Sequence, residues 1–159
     1  MKEPVTIIGR SEPVDFPEFR LKAVAARIDT GAKTSSIWAS NIVETNGKLH
    51  FTLFDKPSAH YSGIAVVAND YAIKVVASSN GLAEERYVVR LQVELAGRKI
   101  RARFTLANRA SQAYPVLIGR NILRGKFLVD VAQGHPLHAE ERRRSKELQA
   151  KLEARKEQA

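Results

Sequence analysis

The stretch Tyr87–Leu106 constrains the fold of this chain more than any other. Its odd positions run Tyr87, Val89, Leu91, Val93, Leu95, and the even positions between them include Arg90, Gln92 and Glu94. After Ala96-Gly97 the alternation resumes, with Ile100, Ala102, Phe104 and Leu106 set against Lys99, Arg101, Arg103 and Thr105. A period of two places alternate side chains on opposite faces of a strand. Two such runs joined by a two-residue turn make an antiparallel hairpin. If Leu95 faces Arg98, then Val93 faces Ile100 and Glu94 faces Lys99. Apolar meets apolar and the charged pair is opposite in sign, so one register satisfies both faces. A hairpin that buries one face needs further sheet to cover it, and strand signals dominate the rest of the chain.

Those signals are short. Val5–Ile8 reads as a strand ended by Gly9, Ser11–Pro17 as a loop with two prolines, and Ala23–Ile28 as a strand. Ser36–Val43 and Leu49–Phe54 read as strands around an Asn46-Gly47 turn, Lys56–Gly63 as a loop, and Ile64–Val67 and Tyr71–Val76 as strands before the turn-like Ser78-Ser79-Asn80-Gly81. Val116–Ile118 is continuously apolar, as a strand buried on both faces would be; about one helical turn over Arg120–Leu123 and a last strand Phe127–Val131 follow. The expected class is all-β: a domain over residues 1–138, then a charged, nearly all-polar helix or tail over 139–159. The 159 residues suit one core.

Composition narrows the chemistry. There is no cysteine, which removes disulfides, thiolate nucleophiles and thiolate metal ligands and is compatible with a cytoplasmic protein. No apolar run approaches the ~20 residues of a membrane span, and the N-terminal run is too short for a signal peptide. The net charge is +9, and from Arg86 to Lys126 there are ten basic residues against one acid, Glu94. Such a chain attracts anions. One candidate partner is nucleic acid, bound on the face carrying Arg90, Arg101 and Arg103, but aromatics are only 7% of the chain and none interleave with that face, so stacking platforms are lacking. Trp38 and Tyr114 read as core.

The strand Ala23–Ile28 runs into Asp29-Thr30-Gly31-Ala32-Lys33, and in the later string Val116-Leu117-Ile118-Gly119-Arg120-Asn121 the glycine lies ninety residues after Asp29. Together with the hairpin between them, these motifs resemble the retroviral-type aspartic protease fold over roughly residues 23–131. More narrowly, IDTGAKTSS, SSNGLAEERYVVR and the LIGR segment are similar to a bacterial family often labelled ATP-dependent zinc protease, with a member associated with trimming glutamate tails from a modified ribosomal protein. The fold implied is a closed, retropepsin-like β-barrel with a short helix after Gly119, an insertion within 50–70, and a flap over Ile73–Glu85 with Asn80-Gly81 at its tip. The label fits the residues poorly. Gly31-Ala32-Lys33-Thr34 lacks the spacing of a phosphate-cradling loop, there is no H-E-x-x-H, and Pro136 disfavours a helix carrying His135 and His138 as ligands. No metal and no cofactor are expected.

The resemblance implies an aspartic peptidase in which Asp29, Thr30 and Gly31 form the catalytic loop. Two carboxylates sharing one proton activate a water, one taking a proton as the other donates to the carbonyl oxygen; aspartic proteases are the usual example. Gly31 would let backbone N–H groups hold the carboxylate, and the Thr30 hydroxyl would lock the loop by bonding to backbone. One D-[ST]-G implies a homodimer with Asp29 from each chain at the axis; within one chain, Glu84 and Glu85 at the flap base are the candidate second acids. Viral relatives have an acid at the position of Lys33, where it pairs with the arginine equivalent to Arg120. Here two cations are expected to lie close, repelling by about 4 kcal/mol at ~4 Å in a medium of effective dielectric near 20 unless something offsets them. The substrate-binding set expected is Ala32, Lys33, Ser79, Asn80, Gly81, Glu85, Arg86 and Arg120, gripping an acidic peptide or glutamate-tailed protein. A catalytically silent scaffold of the same fold is the remaining alternative.

Overall fold

The computed structural model describes residues 3–77 and 81–159. Eleven strands and two α-helices are present among them: β1 (Thr6–Ile8), β2 (Ser11–Phe16), β3 (Leu21–Ile28), β4 (Ser35–Thr45), β5 (Lys48–Leu53), β6 (Ala65–Ala68), β7 (Tyr71–Ala77), β8 (Ala83–Leu95), β9 (Arg98–Ala107), β10 (Val116–Ile118), α1 (Arg120–Leu123), β11 (Phe127–Val129) and α2 (His138–Glu157). The β8–β9 register is Leu95↔Arg98, Glu94↔Lys99 and Val93↔Ile100, as the alternation requires. Ala96 and Gly97 both take positive φ, 49° and 77°, the twist that lets a two-residue turn join right-twisted strands.

The main sheet runs β10-β3-β2-β8-β9-β4-β5-β6, with β7 on β8, and β10 pairs again with β4. The path therefore returns on itself, through Val116↔Ile37 and Leu117↔Ser36, while β5 and β6 extend it beyond β4. The pairings establish a mostly-β molecule with a returning sheet, a coarser description than a closed barrel. Val14, Phe16, Val24, Ile37, Phe104, Val116 and Ile118 are wholly buried inside it.

One element departs from expectation. Residues 11–16 are strand β2, not a loop. Ser11, Val14 and Phe16 point inward and Val14 and Phe16 are fully buried, so burial overrides the proline signal. Pro13 pairs with Ala25 of β3, whereas β8 joins β2 only at Val14 and Asp15, so Pro13 stands where β2 is still an edge. Residues 138–157 form a helix with no buried residue, and Leu148 and Leu152 are each half exposed. Its first turn is tied to the sheet domain: the Tyr114 hydroxyl donates to Glu141 Oε1 at 2.5 Å, and Arg10 pairs with the same carboxylate at 3.2 Å.

Candidate active site

The loop 29–34 leaves the end of β3 and enters β4, and β10 lies between these two strands, parallel to β3 and antiparallel to β4. This insertion places the two sequence motifs against each other. Asp29 N–H donates to Ile118 O at 2.9 Å, Arg120 N–H to Ala32 O at 2.8 Å and Asn121 N–H to Lys33 O at 3.2 Å. Gly119 sits where the chains touch. A Cβ there would lie 2.4 Å from Thr34 O and 2.8 Å from Ala32 O, both backbone atoms. Only glycine permits this approach.

Side chains complete the clamp. Ser35 Oγ, fully buried, accepts Gly119 N–H at 2.9 Å and donates to Asn121 Oδ1 at 2.7 Å, while Asn121 Nδ2 reaches Arg103 O at 3.0 Å. Arg120 Nη1 donates to Thr30 O and Gly31 O at 3.2 and 2.9 Å. The Arg120 guanidinium is therefore met by carbonyl oxygens rather than by an acid. The Thr30 hydroxyl, expected to lock the loop, makes no hydrogen bond among the described residues; Arg120 holds the loop through the Thr30 carbonyl instead. The serine that braces the motif, Ser35, was missed by sequence reasoning, although a polar residue opening a strand with a buried start was a signal for it.

Asp29 is half-buried. Gly31 N–H donates to its Oδ1 at 2.9 Å, and this is the carboxylate's one hydrogen bond among the described residues. Residues on either side of Asp29 open onto different cavities. Arg27 and Ile28 line one of about 410 Å³, together with Arg10, Arg109, Tyr114 and Arg144. Thr30 and Lys33 line a broader groove of about 800 Å³ with Arg120, Asn121 and Leu128.

The first cavity is basic. Arg109 is half-buried, its Nε donates to Tyr114 O at 2.9 Å, and burial followed by the charges of Arg27, Arg86 and Arg144 lowers its pKa to about 10, with Asp29 opposing. Arg86, expected in the site, is not among the residues lining this cavity, although its charge acts on Arg109; the arginines that do line it, Arg10, Arg27, Arg109 and Arg144, were not singled out. Arg27 was legible: strand alternation buries Val24, Ala26 and Ile28, so Arg27 points away from the core immediately before Asp29. Arg144 had no local signal.

The segment expected as a flap forms a hairpin. β7 and β8 form a hairpin from Tyr71↔Val89 to Ala77↔Ala83. Ser79 and Asn80 lie outside the described residues; Gly81, beside them, has positive φ and open space around it. Glu84 and Glu85 are not at the hairpin's base. The register sets them opposite Val76 and Val75, near its turn, both exposed, with Glu84 3.7 Å from Arg86. Among the described residues no group of three or more His, Cys, Asp or Glu could hold a metal, and no helix is long and apolar enough to cross a membrane.

A strand-borne Asp-Thr-Gly loop clamped by a Gly-Arg-Asn segment is the arrangement of a retropepsin-like aspartic endopeptidase. The family model described as retropepsin-like aspartic endopeptidase RimB matches residues 7–136, and the chain belongs to this RimB-like family. It is also 34% identical over 137 residues to a probable alpha-L-glutamate ligase of Shewanella pealeana and 32% identical over 144 residues to one of Parasynechococcus marenigrum, covering 84% and 82% of this chain. The chain spans only 30% and 29% of those two relatives' lengths. Among solved structures, a protein of unknown function from Legionella pneumophila subsp. pneumophila superposes with a TM-score of 0.64 at 29% identity, over 81% of this chain and 95% of that one.

Proposed function

We propose that this chain is a cytoplasmic aspartic-type peptidase that uses an activated water to cleave acidic, glutamate-rich peptides or the glutamate tails of a modified protein. The observation that carries the reading is the state of Asp29. Its Oδ1 is held by Gly31 N–H, its Oδ2 is left without a hydrogen bond among the described residues, and its chain neighbours Ile28 and Thr30 line two separate cavities rich in cations. A carboxylate fixed through one oxygen can take a proton from water with the other. The arginines and Lys33 suit a substrate whose side chains are themselves carboxylates, and the relatives named glutamate ligases point to the same amino acid. The second acid of the retropepsin-type mechanism is supplied in this reading by Asp29 of a second copy across a two-fold axis. The solution mass of the active species tests that part.

Asp29→Asn tests the whole. Asparagine keeps an oxygen for Gly31 N–H and removes the base, so the protein should fold normally and lose about 10²–10⁴ in the rate of oligoglutamate hydrolysis. Unchanged turnover would overturn the assignment. One observation favours a second reading. Proteins named as ligases contain a stretch similar to this chain, so the domain could present glutamate chains without cutting them. Oligoglutamate binding with no hydrolysis by the unsubstituted protein would select it.

A further inference from the structure

The cavity lined by Arg27 and Ile28, just before Asp29, carries more guanidinium groups than carboxylates among the described residues. Its lining includes Arg10, Arg27, Arg109 and Arg144 against a single carboxylate, Glu141. Glu141 is already engaged: it pairs with Arg10 at 3.2 Å and accepts the Tyr114 hydroxyl at 2.5 Å. Among the described residues Arg27, Arg109 and Arg144 have no acid within 4.0 Å, although they come from β3, the loop after β9 and α2. Arg109 cannot swing away to water, because its Nε is held by the Tyr114 carbonyl. Arg86, which pairs with Glu84 at 3.7 Å, adds its charge from outside the lining, and its buried Nε has no hydrogen-bond partner among the described residues. Holding like charges together in a partly buried cavity is costly unless an anion completes the site. At about 410 Å³ the cavity has the size of a small-ligand pocket.

We propose that this cavity is the subsite for the carboxylates of an acidic peptide, with Arg27, Arg109 and Arg144 as its anion-binding groups, and that the C-terminal helix α2, through Arg144, forms one wall of the substrate cleft. The proposal rests on the peptidase reading for the orientation of the peptide toward Asp29, and it gives that reading a specificity determinant. Planar guanidiniums match carboxylates in a bidentate fork, which gives glutamate side chains an advantage over glutamine of equal length. Since α2 buries no residue, its first turn is attached to the sheet domain to bring Arg144 to the cavity rather than to complete a core.

Binding of N-terminally labelled hexaglutamate and hexaglutamine, followed by fluorescence anisotropy in the Asp29→Asn background, tests this without turnover. Arg144→Gln and Arg27→Gln should each weaken hexaglutamate binding about tenfold or more, the effect of removing one charge-assisted contact. Arg155→Gln, the same charge change in the last turn of α2, should stay within twofold and serves as the long-range charge control. Arg144→Lys keeps the charge and loses the fork, so an intermediate loss separates bidentate contact from bulk attraction. Equal thermal melts verify folding; Arg109 is left intact because it also braces the Tyr114 loop. Should the Arg144 and Arg27 variants lose no more affinity than Arg155→Gln, or lose hexaglutamine equally, the proposal is wrong. The two readings fail differently. Loss of binding in these variants with no hydrolysis by the unsubstituted protein removes the peptidase and keeps the subsite. Hydrolysis with an unchanged KM in both variants removes the subsite and keeps the peptidase.

Discussion

Replacing Gly119 by alanine should separate the two halves of the clamp that holds the Asp29 loop. The added methyl carbon would stand 2.4 Å from Thr34 O, 2.7 Å from Thr34 C and 2.8 Å from Ala32 O. All three are backbone atoms of the Asp29 loop, so no side chain can rotate out of the way. Relieving the closest contact even to 3.0 Å moves one segment by more than half an ångström. The seam that must open carries Arg120 N–H to Ala32 O at 2.8 Å and Gly119 N–H to Ser35 Oγ at 2.9 Å. Overpacking of this kind costs about 1–3 kcal/mol, and each of the two hydrogen bonds stretched or lost adds about 0.5–1.5 kcal/mol, so the expected destabilisation is about 2–6 kcal/mol. Urea unfolding followed by the fluorescence of Trp38 reads it directly, as a midpoint lowered by on the order of 1 M or more with an unchanged slope. Gly125→Ala is the control: its φ is +74° and nothing lies within 4 Å, so it carries only the backbone penalty of about 1 kcal/mol. If Gly119→Ala is no more destabilising than Gly125→Ala, the close approach of the two motifs is not what holds the loop, and the account of the clamp is refuted.

Two further expectations follow from the same geometry. Ser35→Ala leaves the buried Gly119 N–H without its acceptor and Asn121 without a donor, and should cost about 1–3 kcal/mol in the same unfolding assay; a change under about 0.5 kcal/mol would mean the hydroxyl is dispensable. Acidification should loosen α2 through Glu141. The Tyr114 hydroxyl first, and the charge of Arg10 next, hold its carboxyl below the ordinary carboxylate range. Its contribution to stability is therefore full above the unfolded-state pKa and is lost as pH falls through the lowered folded value. Glu141→Gln should be less stable than the unsubstituted protein at neutral pH and flatter through that acid window by helical circular dichroism, and parallel pH profiles would refute the assignment.

The legibility of this molecule in its sequence was uneven, and the unevenness has a physical basis. Alternation over Tyr87–Leu106 is a local, period-two property, and a one-residue slip would have buried Arg90 and Arg101, so the register followed without knowledge of the rest of the fold. The Asp29 and Gly119 motifs were visible because a tight loop and a close backbone approach demand particular small residues at fixed offsets. Strand β2 was hidden by Pro13 within it and Pro17 just after it, whose local preference yields to the burial of Val14 and Phe16. The partners of Arg120 were hidden because a carbonyl oxygen can satisfy a guanidinium, and every residue has one.

Sequence by itself determined the mostly-β class, the Asp29 and Gly119 motifs and the positive net charge, since each rests on periodicity, residue type or summed charge within short windows. Only the tertiary structure decided where those charges act. Arg27, Arg86, Arg109 and Arg144 lie on β3, β8, a loop and α2, and the electrostatic coupling among them arises from the path of the chain through space, not from any spacing along it. Likewise β10 had to insert between β3 and β4 before Asp29, Ser35, Gly119 and Arg120 could become one site.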